Sequence, residues 1–392
     1  MYDDLAKLVP SDNDLPARAH TIDCLSRVLN GTIYDGLSYS FHEEKNGAGE
    51  YVRLSHRKPS VRTGIIRTVV DDSISLLFSE GHFPKIQCKD EVTKASLGEI
   101  VKDAALNVAL IEAATIGSVG SVCLLVRFLS SRVFVTVMGT QFLTPAWNPQ
   151  EPDKLLRVVQ RYKVKGQTLR NAGYTIKDSE VSETFWFQRE WDQSNEVWYL
   201  PQTVSTKKPM LRDAARTVTH GLGFVPCVWV KNLPGGDDVD GKPTFGPEAI
   251  NTVIEADYQL SQAGRGLKYS ADPPLMIKEP PTADEGVMVR GAANAIVVGE
   301  KGDAKLLEIS GSAAAAVIEY VTKLRELAIE SMHGNRSNAD KLSAAQSGRA
   351  LEMLHQSLIW LADKLRTTYG EGALLSLYRM IVAGSQRYPI KI

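Results

Sequence analysis

The segment Gly236-Asp237-Asp238-Val239-Asp240-Gly241-Lys242 has the GxxxxGK spacing with which a backbone loop cradles phosphate. Its chemistry is wrong for that task. Pro243 stands where a magnesium-binding Ser or Thr is required, and three aspartates repel phosphate oxygens. The same residues offer Asp238-x-Asp240-Gly241 to a calcium loop. The first ligand position then falls on Gly236 and the twelfth on Pro247, so two essential carboxylates are missing. A solvated acidic turn is the expectation. The histidines form no HExxH, no serine sits in a GxSxG elbow, and no pair of carboxylates stands out as acid and base. Cys24, Cys88, Cys123 and Cys227 lie far apart without a CxxC pair, which disfavours a zinc ribbon or disulfide scaffold. They are expected as small buried apolar residues in a reducing compartment. The pattern argues for a structural or binding protein rather than an enzyme, with no metal and no cofactor.

The bulk features narrow the partners. A chain of 392 residues is long enough for two or three domains, and 43% apolar against 23% charged residues is the composition of a folded protein. The 45 Lys and Arg nearly cancel the 46 Asp and Glu, leaving a net charge of −1. That balance disfavours a basic surface that grips nucleic acid, and disfavours binding to acidic membranes. Met1-Tyr2-Asp3-Asp4 has no apolar core of a signal peptide, and the stretch 122–138 is interrupted by Arg127 and Arg132. That stretch falls short of the ~20 residues a membrane span needs. A soluble chain, intracellular when made, is expected.

The elements that must position any site follow from periodicity. Residues 62–79 carry Ile65, Ile66, Val69, Val70, Ile74 and Leu77 at helical spacing, and 96–114 place Ile100, Ala104, Val108 and Ile111 on one stripe. Residues 121–129 and 132–138 read as a hairpin around Ser130-Ser131, followed by strands at 155–164, 181–191 and 197–200. Most of the tryptophans fall between 147 and 229, where packing on a sheet is expected. A helix over 247–270, with Pro247 in its first turn, has Ile250, Val253, Ile254 and Leu260 on its apolar side. Residues 271–308 interrupt the helical pattern with Pro273-Pro274 and Pro280-Pro281, and hold β-like runs at 275–277 and 295–298.

Two further helices close the chain. Over 312–333 an apolar stripe of Val317, Tyr320, Val321, Leu324, Ala328 and Met332 opposes Glu319, Lys323, Glu326 and Glu330, with Glu319 placed to pair with Lys323. Small residues at 313–316 would admit a close neighbour. A polar loop follows, and then a long helical stretch, 346–383. In it Leu351, Leu354, Leu358, Leu361 and Leu365 form a packing seam for another helix, while Gly370 and Gly372 predict a kink or hinge.

Several segments, in this order, resemble the portal proteins, the head–tail connectors of tailed double-stranded DNA bacteriophages. Thr63-Gly64-Ile65-Ile66-Arg67-Thr68-Val69-Val70-Asp71, followed by Leu76-Leu77-Phe78-Ser79-Glu80-Gly81, is similar to their N-terminal helix. Gly221-Leu222-Gly223-Phe224-Val225-Pro226-Cys227-Val228 with Asn232 resembles their Leu-Gly-x-x-Pro-Val strand leading into the stem. Ala271-Asp272-Pro273-Pro274-Leu275 resembles the passage from stem to clip, and Ser347-Gly348-Arg349-Ala350-Leu351 the start of the helix after the tunnel loop. The resemblance runs from roughly residue 30 to 384.

It implies an α+β, portal-like fold. Residues 1–246 would form a mixed α/β wing, 247–270 and 312–333 the two stem helices, and 271–311 a small β-containing clip. The tunnel loop would be 334–345, with Asn335, Arg336, Asn338 and Lys341 as its DNA-facing candidates, and 346–383 a long kinked wing helix. Only 384–392 would remain for a crown, which should be minimal or absent. Glu319, Lys323, Glu326 and Glu330 would either line the channel or pair between subunits. The implied function is a homo-oligomeric ring, usually of twelve, at one capsid vertex in the virion, assembled in the host cytoplasm. It would conduct double-stranded DNA without sequence-specific binding during packaging and ejection. The implied partners are the terminase large subunit, head-completion and tail adaptor proteins, and the major capsid and scaffolding proteins, with no membrane. The alternative is a head adaptor or minor capsid protein that makes no 12-fold ring. Near-neutral charge then excludes tight adhesion to DNA but not its close passage.

Overall fold

In the computed structural model, Ser130 and Ser131 take left-handed φ of 52° and 61° between strands Ser121–Leu129 and Arg132–Gly139. Two successive positive φ values match the right-handed twist of the flanking strands, so this polar pair between two apolar runs makes the hairpin turn. The structure describes residues 1–79, 81–271, 275–278, 303–306, 311–334 and 348–390, leaving aside the side chains of 269–271, 275–278, 303–306, 311–314 and 348–354. They divide into two units. Residues 37–63 group with 251–328, and 2–36, 64–250 and 329–390 form the other.

The larger unit holds two antiparallel sheets. In the smaller one, Ser121–Leu129 lies between Arg132–Gly139 and Cys227–Lys231. The other runs from Leu143–Asn148 through Glu151–Lys165, Thr184–Trp191 and Asn195–Trp198 to Val218–Thr219. Cys123, Leu125, Leu143, Val158, Trp191 and Cys227 share one buried cluster, which sheet alternation builds by sending every second side chain inward. Other tryptophans pack beside it: Trp147 meets Trp229 edge-on, and Trp198 meets Phe187 the same way in a second cluster with Leu169, Tyr174 and Phe185. Cys24, Cys123 and Cys227 are buried and Cys88 is half-buried.

Several element bounds differ from expectation, three of them for a local reason or by a shift of the whole element. The 96–114 helix is two, Glu91–Asp103 and Leu106–Gly117, broken where Ala105 takes a left-handed φ of 47°. The break resets the helical phase, so Val108 and Ile111 are 59% and 38% exposed while Leu106, Leu110 and Ala113 are buried. The 181–191 strand starts at Thr184, because residues 178–180 make a tight helical turn. The strand expected at 197–200 spans Asn195–Trp198.

One ion-paired carboxylate of this unit has a defined acid response. Asp213 accepts from Arg216 Nη1 at 2.9 Å and from the N–H groups of Ala215 and Arg216 at 3.1 and 3.2 Å. The guanidinium, helped by those N–H groups and opposed by burial, holds Asp213 below the usual carboxylate range. A depressed folded value means a contribution complete above the unfolded pKa, about 3.9, and lost as pH falls through the folded one. Asp213→Asn is therefore expected to lower stability at neutral pH and flatten its decline below about pH 4, read from urea midpoints across that range. An unchanged pH slope would reject this.

In the smaller unit, residues 251–271 of the helix Pro247–Ala271 and 311–328 of the helix Gly311–Ser331 pack through Ala256 and Leu260 against Val317, Val321 and Leu324. Segment 37–63 braces the first helix. Thr63 donates its N–H and hydroxyl to Asp257 Oδ1 at 2.8 and 2.9 Å, and Tyr258 donates its hydroxyl to the Arg57 carbonyl at 2.9 Å. Between the two helices in sequence, Leu275–Lys278 pairs antiparallel with Asp303–Leu306. The first of these strands covers the expected run at 275–277. Its partner strand has no counterpart among the expected runs, and the run at 295–298 lies outside the described residues.

The C-terminal stretch is one continuous helical rod of three parts: Gly348–Leu365, a π-helical Arg366–Leu374 and Leu375–Ser385. The backbone stays right-handed helical at both joints, at Leu365 and Leu375. The glycines therefore widen the helix instead of breaking it. The fold is α+β with a long C-terminal helix. Among the described residues no helix is long and apolar enough to cross a membrane.

Candidate functional site

The helix Gly311–Ser331 presents three kinds of surface. Val321, Leu324 and Ala328 are buried and Val317 is partly so. At about 100° per residue, Glu319, Lys323, Glu326 and Glu330 fall on the opposite side, and all four are exposed. Lys323 Nζ pairs with Glu326, three residues on, at 3.0 Å and not with Glu319. The flanks between stripe and ridge are apolar and open. Ile318 is 51% exposed on one side, and Tyr320 and Leu327 are each 48% exposed on the other. Tyr320 thus leaves the buried stripe to which its spacing assigned it.

The leucine seam meets a definite partner. Leu358, Leu361 and Leu365 are buried, and their helix packs against Ile65–Phe78. The side chains of Leu351 and Leu354 lie outside the described residues, as do Asn335, Arg336, Asn338 and Lys341 of the expected tunnel loop.

The acidic turn at 236–242 is a clasp rather than a solvated loop. Asp237 and Asp238 are exposed, but Asp240 is engaged by Arg18 through Nε at 2.8 Å and Nη2 at 2.7 Å. Arg18 Nη1 also donates to the carbonyls of Thr140 and Leu143 at 2.7 and 2.9 Å, and the Ser121 hydroxyl donates to Asp240. The Asp237 carboxylate takes the N–H groups of Asp240 and Val239, which hold it below the usual carboxylate range. The N–H groups that a phosphate would need are thus turned toward the protein's own aspartate. Sequence spacing identified the turn but not Arg18, which no local pattern connects to it.

A second polar node lies behind the seam. Buried Asn232 donates from Nδ2 to the Lys242 carbonyl and to Thr244 Oγ1, both at 3.0 Å. Its Oδ1 accepts from the Tyr369 hydroxyl at 3.1 Å. Among the described residues no group of three or more His, Cys, Asp and Glu side chains could hold a metal ion. The chain matches no known family model, and no curated protein is significantly similar to it.

Proposed function

We propose that the chain is a portal-type protein, a subunit of a ring through which double-stranded DNA passes. The surface of the helix Gly311–Ser331 is the observation that carries this reading. A closed ring of identical subunits uses two different faces of each copy, one against each neighbour. Apolar residues open on both flanks of one helix supply such a pair of faces, and the ridge between them is mainly carboxylate. Three glutamates and one lysine repel phosphate, so a duplex slides past them without accumulating the contacts that create salt-dependent affinity. The helix order around a short β-ribbon and the motif order from Thr63 to Leu351 support the same reading. In it the protein catalyses nothing, and a separate motor supplies the energy for packaging.

Native mass measurement tests the proposal. The expected mass is close to twelve times 43.0 kDa. A monomer or dimer would reject the ring and favour a head adaptor or minor capsid protein. Ile318→Asp with Leu327→Asp is expected to reduce the ring to monomers while leaving thermal unfolding of the protomer little changed, because both side chains are half in solvent already. Arg336→Ala with Lys341→Ala, measured as packaged genome length in assembled particles, separately tests whether the tunnel loop contacts DNA. Unchanged length and retention would remove that role.

A further inference from the structure

A cavity of about 990 Å³ opens in the larger unit between the helix Leu375–Ser385 and the segment 82–88. Leu77, Phe78, Leu97 and Leu374 line it with apolar surface. Leu375 and Val382, 45% and 39% exposed, belong to its helical wall. Leu375, Arg379 and Val382 follow i, i+4, i+7 spacing, so the space runs along the helix as a groove. Lining residues from Arg366 to Gln386 span roughly 25–30 Å at helical rise.

Charge says what the groove lacks. Lys85 on one wall and Arg379 on the other make no ion pair among the described residues, whereas Arg366 is held by Asp363 and the Leu76 carbonyl. Glu371 is the one carboxylate among the described lining residues. Tyr378, only 8% exposed, lines the groove with its ring and keeps its hydroxyl enclosed.

We propose that this groove seats an amphipathic helix of a partner protein, apolar at i, i+4 and i+7 and acidic on both flanks. An open trough with helical spacing in its wall is the complement of such a stripe. Cations on opposite walls match carboxylates on both flanks of a helix, whereas a fatty acid brings a single carboxylate at one end. The inference does not depend on ring formation.

The test uses the full chain and a fluorescent helical peptide of about 18 residues, with leucines at i, i+4, i+7 and i+11 and glutamates flanking them. A twin with lysines for glutamates and a permuted peptide without the stripe are the controls. The glutamate peptide is expected to bind in preference to both, and Arg379→Glu or Val382→Asp to weaken it by about tenfold or more at unchanged far-UV circular dichroism. Lys85→Glu with Arg379→Glu should transfer the preference to the lysine peptide. Equal binding of the two charged peptides, or indifference to Arg379→Glu, would overturn the proposal. Uptake of oleate without uptake of the peptide would do the same. So would a change in native mass on Val382→Asp with no peptide binding, which would make the groove a contact between copies of this chain.

Discussion

Arg18→Ala is expected to destabilise the chain by about 3–5 kcal/mol, measured as a fall in the urea midpoint at unchanged m. The size follows from what the substitution strands. Arg18 and Asp240 are 19% and 15% exposed, so the remaining carboxylate would keep most of its desolvation cost and lose its cation. The carbonyls of Thr140 and Leu143 would lose a donor at the same time. Arg18→Lys should recover only part of the loss. A point-like ammonium cannot serve two carboxylate oxygens and two carbonyls with the planar fork that guanidinium provides. Removing both partners, Arg18→Ala with Asp240→Ala, should cost less than the two single changes added together, since no uncompensated charge is then left. A single-variant loss below about 1 kcal/mol would mean the clasp is solvated, as the acidic composition of the turn suggests at first reading.

Asn232→Ala should cost about 2–4 kcal/mol and loosen the C-terminal helix, read by denaturation together with near-UV circular dichroism. Asn232 is fully buried and satisfies three groups at once: the Lys242 carbonyl, the Thr244 hydroxyl and the Tyr369 hydroxyl. Burial pushes the Tyr369 phenol well above its usual value, so it remains a donor at any working pH. Tyr369→Phe should be milder, at about 1–2 kcal/mol, because it removes one donor and leaves the other two bonds of Asn232 intact. Gly117→Ala supplies an independent check. A Cβ there would lie 2.1 Å from the Tyr369 hydroxyl oxygen, and the ring is enclosed on all sides. That variant is expected to resemble Asn232→Ala in its loss of helix packing. Wild-type stability of both would show that the node is dispensable.

The π-helical segment had a signal in the sequence that leucine counting alone passes over. Buried positions after Leu361 recur at Leu365, Tyr369, Ala373, Leu377 and Ile381, steps of four. In a regular α-helix each such step turns the face by about 40°, so five of them would carry the stripe well around the helix. A wider turn in the middle compensates for the drift and keeps one face on the core. Gly370 and Gly372, weak in an α-helix, lower the cost of that turn. The two glycines are therefore legible as a change of helical form once the spacing of their neighbours is counted.

The split at Ala105 carries a different lesson. Apolar residues stand at both sets of positions, Val108 and Ile111 as well as Leu106 and Leu110, so periodicity allows two registers. Burial against the sheet selected the second, and a single left-handed residue made the change of phase possible. Glu319 and Lys323 show the same limit at smaller scale, since helical spacing permits pairing in either direction and the structure forms Lys323 with Glu326.

Much of the local order along this chain was decided by neighbours within a few residues, and the sequence carries that part openly. The Ser130-Ser131 turn, the helix start at Pro247, the charged and apolar sides of 311–331 and the leucine seam all depend on backbone preference and period. Tertiary structure alone decided which distant groups meet. Arg18 and Asp240 are 222 residues apart, and Tyr369 and Asn232 are 137 apart. Polar partners of this kind are chosen by the geometry of the packed interior, where each buried donor must find an acceptor or cost free energy. Many arginines could have served Asp240 on charge alone; only Arg18 is carried to it by the fold.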